Sequence, residues 1–257
     1  YGVGSSQTGS SNVLIGASAA TQVTGANNVI IGTSAATGVL TSAGVVAIGD
    51  LSLSVGTNAD QSTCVGFQSC DAVTTGDQNT GIGYSALGAN ISANANTCVG
   101  YNCLLLATGA SNVAVGAAAG DGIGSGTQNT AIGTNALSAT ITTSNATAVG
   151  FNALVVNTAA NNTAMGSGAL DSNTSGPNNT AFGYNAGAGI TTSQDNTAVG
   201  DQAYDVGAGF RNTAVGASAL GGTGSDDNTA VGYNALLVAS GGPNTAVGSL
   251  ALDSNTT

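Results

Sequence analysis

The chain has 257 residues, a formal net charge of -11 and only one basic side chain, Arg211, so binding nucleic acid by neutralising phosphates has nothing to work with. Aromatic residues make up 4% and Trp is absent, which leaves a thick globular core without bulky fillers. With no His, Lys or Glu, acid–base chemistry would fall to Asp or Tyr, and we expect neither an enzyme nor a bound cofactor.

Along the chain a Val, Ile, Met or Phe runs into a glycine fifteen times: Gly16, Gly32, Gly49, Gly66, Gly83, Gly100, Gly116, Gly133, Gly150, Gly166, Gly183, Gly200, Gly216, Gly232 and Gly248. The interval is always 16 or 17 residues. A unit repeated without drift predicts one turn of structure stacked on copies of itself. Before the glycines β-branched residues recur at every second position, as in Val13 and Ile15 around Leu14 or Thr229 and Val231 around the small Ala230, which is a strand pattern. The sequence therefore predicts an all-β chain, a parallel β-solenoid or β-roll of about 15 coils, forming one domain over 1–257. At the spacing of paired strands such a stack would be a rod roughly 70 Å long. The invariant glycines mark a corner that a Cβ would obstruct.

Four residues before the corner, Asn recurs at Asn12, Asn28, Asn79, Asn96, Asn112, Asn129, Asn162, Asn179, Asn196, Asn212, Asn228 and Asn244. Stacked amides at one site predict a ladder that stabilises the coils without any ligand. Thr stands three before the corner in eleven coils, Thr63 to Thr245. An outward Thr array could order water and bind ice. Thr shares parity with the apolar residue before the corner, however, and the expectation is that both point inward.

Cys64, Cys70, Cys98 and Cys103 fall in two coils with one coil between them. That separation is too great for Cys64 to reach Cys98. Bonds within a coil, Cys64 to Cys70 and Cys98 to Cys103, stand beside the alternative that each is a small buried residue in place of Ala or Leu. Asp71, Asp121, Asp171, Asp205 and Asp253 occupy one column but never adjacent coils, which suits solubility. Asp226 with Asp227 and the stretch from Asp121 are the best calcium candidates, and Asp201 with Asp205 or Asp226 with Asp227 the candidate carboxylate pairs for cleaving glycans, but none forms a recurring motif, and no metal is expected. Sequons begin at Asn90, Asn145, Asn161, Asn173, Asn178 and Asn255, about as many as chance supplies.

The unit Asn112-Val113-Ala114-Val115-Gly116-Ala117-Ala118-Ala119 resembles the head repeats of trimeric autotransporter adhesins, and similar units occur in phage tail-fibre proteins. The resemblance implies a left-handed parallel β-roll in which three chains pack side by side. It also implies that Val115-type residues lie inside the coil and the Ala114 column at a close contact. Adhesion to surface glycans through Tyr84, Tyr101, Tyr184 and Tyr233, with Asn102, Asn185 and Asn234, is the function that would follow. For Phe67, Tyr84 and Tyr101, stacking between coils is the competing expectation.

The sequence runs from Tyr1 to Thr257 within a coil, and the expectation is either that a longer protein has been cut or that open strand edges stack on neighbouring copies. The sequence thus leads us to expect a structural fibre subunit or shaft, extracellular or on a virion, whose partner is itself, end to end or side by side. No apolar stretch is long enough to span a membrane.

Overall fold

In a computed structural model, which describes residues 6–139, 142–222, 225–238 and 241–254, the chain is all-β and without helix. Asn255 and the terminal residues Tyr1 to Ser5 and Thr256–Thr257 lie outside the described residues. Parallel strands stack as a β-solenoid of about 14 turns, one fewer than the number of corner glycines because fifteen strands bracket fourteen turns. The chain divides into two compact units, Tyr1–Asn129 and Thr130–Thr257.

In the first unit the strands Val13–Ile15, Val29–Ile31, Val46–Ile48, Thr63–Val65, Thr80–Ile82, Thr97–Val99 and Val113–Val115 pair in that order. Ser6–Gln7, Gln22–Val23 and Val39–Leu40 form a second small parallel sheet in its opening coils. The second unit pairs Thr130–Ile132, Thr147–Val149, Thr163–Met165, Thr180–Phe182, Thr197–Val199, Thr213–Val215, Thr229–Val231 and Thr245–Val247. Register never slips: Thr faces Thr and the pre-corner residue faces its counterpart in every pair of the second unit.

Each of the fifteen strands that precede a corner glycine is only three residues long, and the corner ends it. Gly216 has φ +131, and a Cβ there would stand 2.6 Å from the Gly232 carbonyl oxygen of the next coil. Both the dihedral and the close approach exclude other residues. Past the corner the backbone turns again through left-handed conformations at non-glycine residues, such as Asn185 (φ 51) and the buried Leu170 (φ 50). A β-branched residue is disfavoured at such a site, whereas Leu accepts it at a cost of about 1–2 kcal/mol. Burial of the Leu side chain and a backbone bond, such as Leu170 N–H to the Ala186 carbonyl at 3.0 Å, offset that cost.

The interior is narrow, and its columns compensate one another. Where Leu stands four after the corner, a short or polar residue follows three later, as with Leu154 and Asn157 or Leu170 and Asn173. Where that place is Gly120 or Gly187, Ile123 or Ile190 fills the space instead, and both isoleucines are fully buried. Tyr204 is the largest version: its ring occupies space that a Cβ on Gly207 would need. Its hydroxyl donates to the Gly209 carbonyl at 3.0 Å and accepts from Gly209 N–H and Asn212 Nδ2 at 2.9 and 2.8 Å.

The middle residue of each strand points inward, and its neighbours point outward. Ala114 is fully buried, while Val113 and Val115 are 37% and 39% exposed. This reverses both the inward Thr read from parity and the buried Val115 implied by the adhesin resemblance. Alternation fixes which residues share a face but not which face is inside. The coil is too narrow to hold β-branched side chains from every level, so the small column goes inside.

Candidate functional site

The outward side of the three-residue strands carries two parallel ranks. In the second unit one rank is Thr130, Thr147, Thr163, Thr180, Thr197, Thr213, Thr229 and Thr245. The other is Ile132, Val149, Met165, Phe182, Val199, Val215, Val231 and Val247. In the first unit the Thr rank is confined to Thr63, Thr80 and Thr97, with Val13, Val29, Val46 and Val113 in the other positions. Neither rank holds a charged residue. The signal that could have found this face is the small-residue column between the ranks, Ala, Cys or Gly from Ala47 to Ala246, which only a narrow interior requires.

A second set of threonines behaves differently. The hydroxyls of Thr41, Thr57, Thr74, Thr158 and Thr174 donate to main-chain carbonyls of the following coil, at 2.6 to 3.1 Å. Those of the Thr130-to-Thr245 rank have no intramolecular partner among the described residues.

The asparagine column lies inside the coil, and its amides bond mainly to backbone. Asn179 Oδ1 accepts the Asn196 backbone N–H at 3.0 Å, and its Nδ2 donates to the Ser193 carbonyl at 2.8 Å and the Gly176 carbonyl at 3.1 Å. The same relay to the next backbone N–H runs from Asn79 to Asn96 and Asn112, from Asn112 to Asn129, from Asn162 to Asn179, and from Asn196 through Asn212 and Asn228 to Asn244. Direct amide–amide bonds join Asn129 to Asn112, Asn196 to Asn179, Asn228 to Asn212 and Asn244 to Asn228. Asn12 and Asn28 join the relay at its start, and Ser62 replaces the amide by accepting Asn79 N–H.

Cys64 is bonded to Cys70 and Cys98 to Cys103, with Cα separations of 5.9 and 5.6 Å. All four are fully buried, in strand, Ala or Leu columns. Gly81 occupies the strand column between them, where a Cβ would stand 2.8 Å from Cys70 Sγ. The glycine is a response to the bulk of the bridge.

Phe67, Tyr84 and Tyr101 stack in successive coils, with centroids 5.5 and 5.2 Å apart and planes within 16°. The faces turned toward one another are taken up by the stack, although the rings remain 41% to 56% exposed. Tyr184 and Tyr233 are 55% and 56% exposed and have no aromatic neighbour among the described residues.

Asp226 and Asp227 are exposed and engaged by Arg211, which reaches Asp227 with Nε at 2.6 Å and Nη2 at 2.9 Å, and Asp226 at 3.7 Å. The guanidinium holds the Asp227 carboxyl below the usual carboxylate range. Desolvation pushes Asp71, Asp121 and Asp205 upward, opposed by backbone hydrogen bonds. No three metal-ligating side chains come together among the described residues. Of the sequon asparagines, Asn90 and Asn173 are buried and hydrogen-bonded to backbone. Asn145, Asn161 and Asn178 are exposed and linked amide to amide in consecutive coils.

Among the described residues no helix is long and apolar enough to cross a membrane. Comparison with protein-family models, with curated proteins and with solved structures finds no match to this chain, so the fold stands as a parallel β-solenoid defined by its own repeat.

Proposed function

We propose that this chain is a non-enzymatic structural protein, a subunit or shaft of an extracellular fibre that associates with copies of itself. The observation that carries the reading is the unbroken register. In each unit every coil offers the next the same main-chain groups, from Gly49 N–H to the Ile31 carbonyl at 2.8 Å through Gly232 N–H to the Val215 carbonyl at 2.8 Å. A stack of this kind is extensible by repetition and is stabilised by buried amide relays from coil to coil. The absence of His, Lys and Glu from the chain favours a structural role over a catalytic one. The likeness to adhesin head and phage tail-fibre repeats points to the same class of elongated extracellular element. A single Arg and no Lys leave trypsin-like proteases almost nothing to cut, as suits exposure outside a cell.

Electron microscopy of the purified chain tests this. Rods or filaments with an axial repeat of about 4.8 Å, the separation of paired strands, are the expected result. Compact particles without axial order would refute it. The unstacked Tyr184 and Tyr233 support a second reading, glycan adhesion; binding on a glycan array that is lost in Tyr184→Ala and Tyr233→Ala would favour it.

A further inference from the structure

The Thr rank of the second unit has hydroxyls without protein partners among the described residues, on a sheet held in register by main-chain hydrogen bonds. We propose that this outward face, built from the Thr130-to-Thr245 rank and its neighbouring Val and Ile rank, binds ordered water and thereby the surface of an ice crystal.

Four observations lead there. The first is chemical. Val would satisfy the strand as well as Thr, as Val113 does in the first unit, so β-propensity alone accounts for the branching but not for eight successive hydroxyls. On the other threonine-bearing side Thr158 and Thr174 spend their hydroxyls on main-chain carbonyls, while in this rank they are left for an external partner.

The second is geometric. In-register pairing repeats each hydroxyl and methyl at the strand separation of about 4.8 Å along the stack, and the two ranks stand about 6.6 Å apart along the strand. These repeats are of the same order as the oxygen spacings of an ice lattice. The level stretch is Thr197–Val199, Thr213–Val215 and Thr229–Val231; Met165 and Phe182 rise above the surface elsewhere.

Rigidity is the third. β-Branched side chains have little χ1 freedom, and the strands beneath are held by main-chain bonds such as Gly216 N–H to the Val199 carbonyl at 2.7 Å. A surface so fixed loses little entropy when water orders against it.

The fourth concerns charge. Every charged side chain lies outside these ranks, so no ionic hydration shell disrupts a lattice. A dry protein partner would instead bury a row of hydroxyls at a cost of about 1–3 kcal/mol for each one left unpaired. An ice surface supplies a partner for each.

The experiment is nanolitre osmometry and ice-recrystallisation assay on the full chain. Faceted crystals and a freezing–melting gap are expected, falling at least fivefold in Thr213→Lys and unchanged in Thr174→Lys on the other threonine side. Thr213→Val, an exchange the column already accepts at Val113, guards against misfolding and should give partial loss with an unaltered circular dichroism spectrum. No hysteresis and no recrystallisation inhibition in the natural chain would overturn the proposal. So would a Thr213→Lys chain as active as the original, or a self-association abolished by Thr213→Lys in a protein without effect on ice. Hysteresis and recrystallisation are read independently of whether the chain forms fibres.

Discussion

Replacing Gly216 by Ala isolates what the corner requires. The new Cβ would stand 2.6 Å from the Gly232 oxygen. An ordinary C···O contact is about 3.3 Å or more, so the next coil must lift by about 0.7 Å. That displacement strains three main-chain bonds: Gly232 N–H to Val215, Thr213 N–H to Asn228 and Asn234 N–H to Ala217, now 2.8, 2.8 and 3.0 Å. At about 1 kcal/mol for each bond, plus about 1–3 kcal/mol for Ala in a glycine-only conformation, the cost is about 4–6 kcal/mol. Gly248 is the matched control: its φ is +129, but an added Cβ meets nothing nearer than 3.9 Å. Gly248→Ala should therefore show the conformational part alone, about 1–3 kcal/mol. Guanidinium denaturation gives the totals, and amide hydrogen exchange locates the loss, since a repeat array can open locally. Equal costs for the two variants would refute the steric argument.

Further predictions address the interior and its charge. Gly187→Leu should destabilise by about 1–3 kcal/mol through overpacking, since a Cβ there is already 2.8 Å from Leu170 Cδ2 and 3.2 Å from Ile190 Cδ1. Adding Ile190→Asn recreates the Leu170–Asn173 arrangement and should restore most of the loss; a double variant worse than the single one would disprove the column exchange. Asn179→Ala takes the partner from the Asn196 N–H and the Ser193 carbonyl, while the Gly176 carbonyl keeps Asn162 and Asn173, and should cost about 3 kcal/mol by thermal melting, against about 0.5 kcal/mol or less for the exposed Asn178→Ala. For Asp71, Asp121 and Asp205 the native carboxyl holds its proton more tightly than the unfolded one. Their contribution is thus fully present below the ordinary value of 3.8 and is lost as pH rises through the raised native values. Asp227, held low by Arg211, acts in the opposite sense but is exposed, so in an Asp227→Asn background denaturation midpoints at pH 3 should exceed those at pH 7, and Asp71→Asn should narrow the gap; a midpoint that rises with pH would contradict this.

Period and corner glycine were enough to read the solenoid, because a 16- or 17-residue unit leaves room for little besides short strands and turns. The inside was not readable from alternation, since Thr213 and Val215 are equivalent under a shift of face. What breaks the symmetry is size: Ala214 fits a narrow coil at every level, and Val215 does not. Leucines in left-handed turns were equally hidden, as nothing local in Leu170 signals φ 50. The paired exchange of Leu170–Asn173 for Gly187–Ile190 was present in the sequence but has meaning only once both positions are known to share a cavity. The candidate face was misplaced for the same reason as the core: choosing the wrong side for Val115 moved the Thr rank inward with it.

The self-contained filling of most coils bears on how such a chain changes length. A level whose Leu and Asn complement each other can be copied or lost as a cassette of 16 or 17 residues, leaving neighbouring levels with the same surface to meet. The cystine region is the exception. The Cys64–Cys70 bridge leaves room only for Gly81 in the next level, so those two levels must be inherited together: a level bearing Ala at the Gly81 position would press its methyl group into the Cys70 sulfur. Homologous chains of different length should therefore differ by whole coils, with the Cys64–Cys70 level and the Gly81 level kept or lost as a pair.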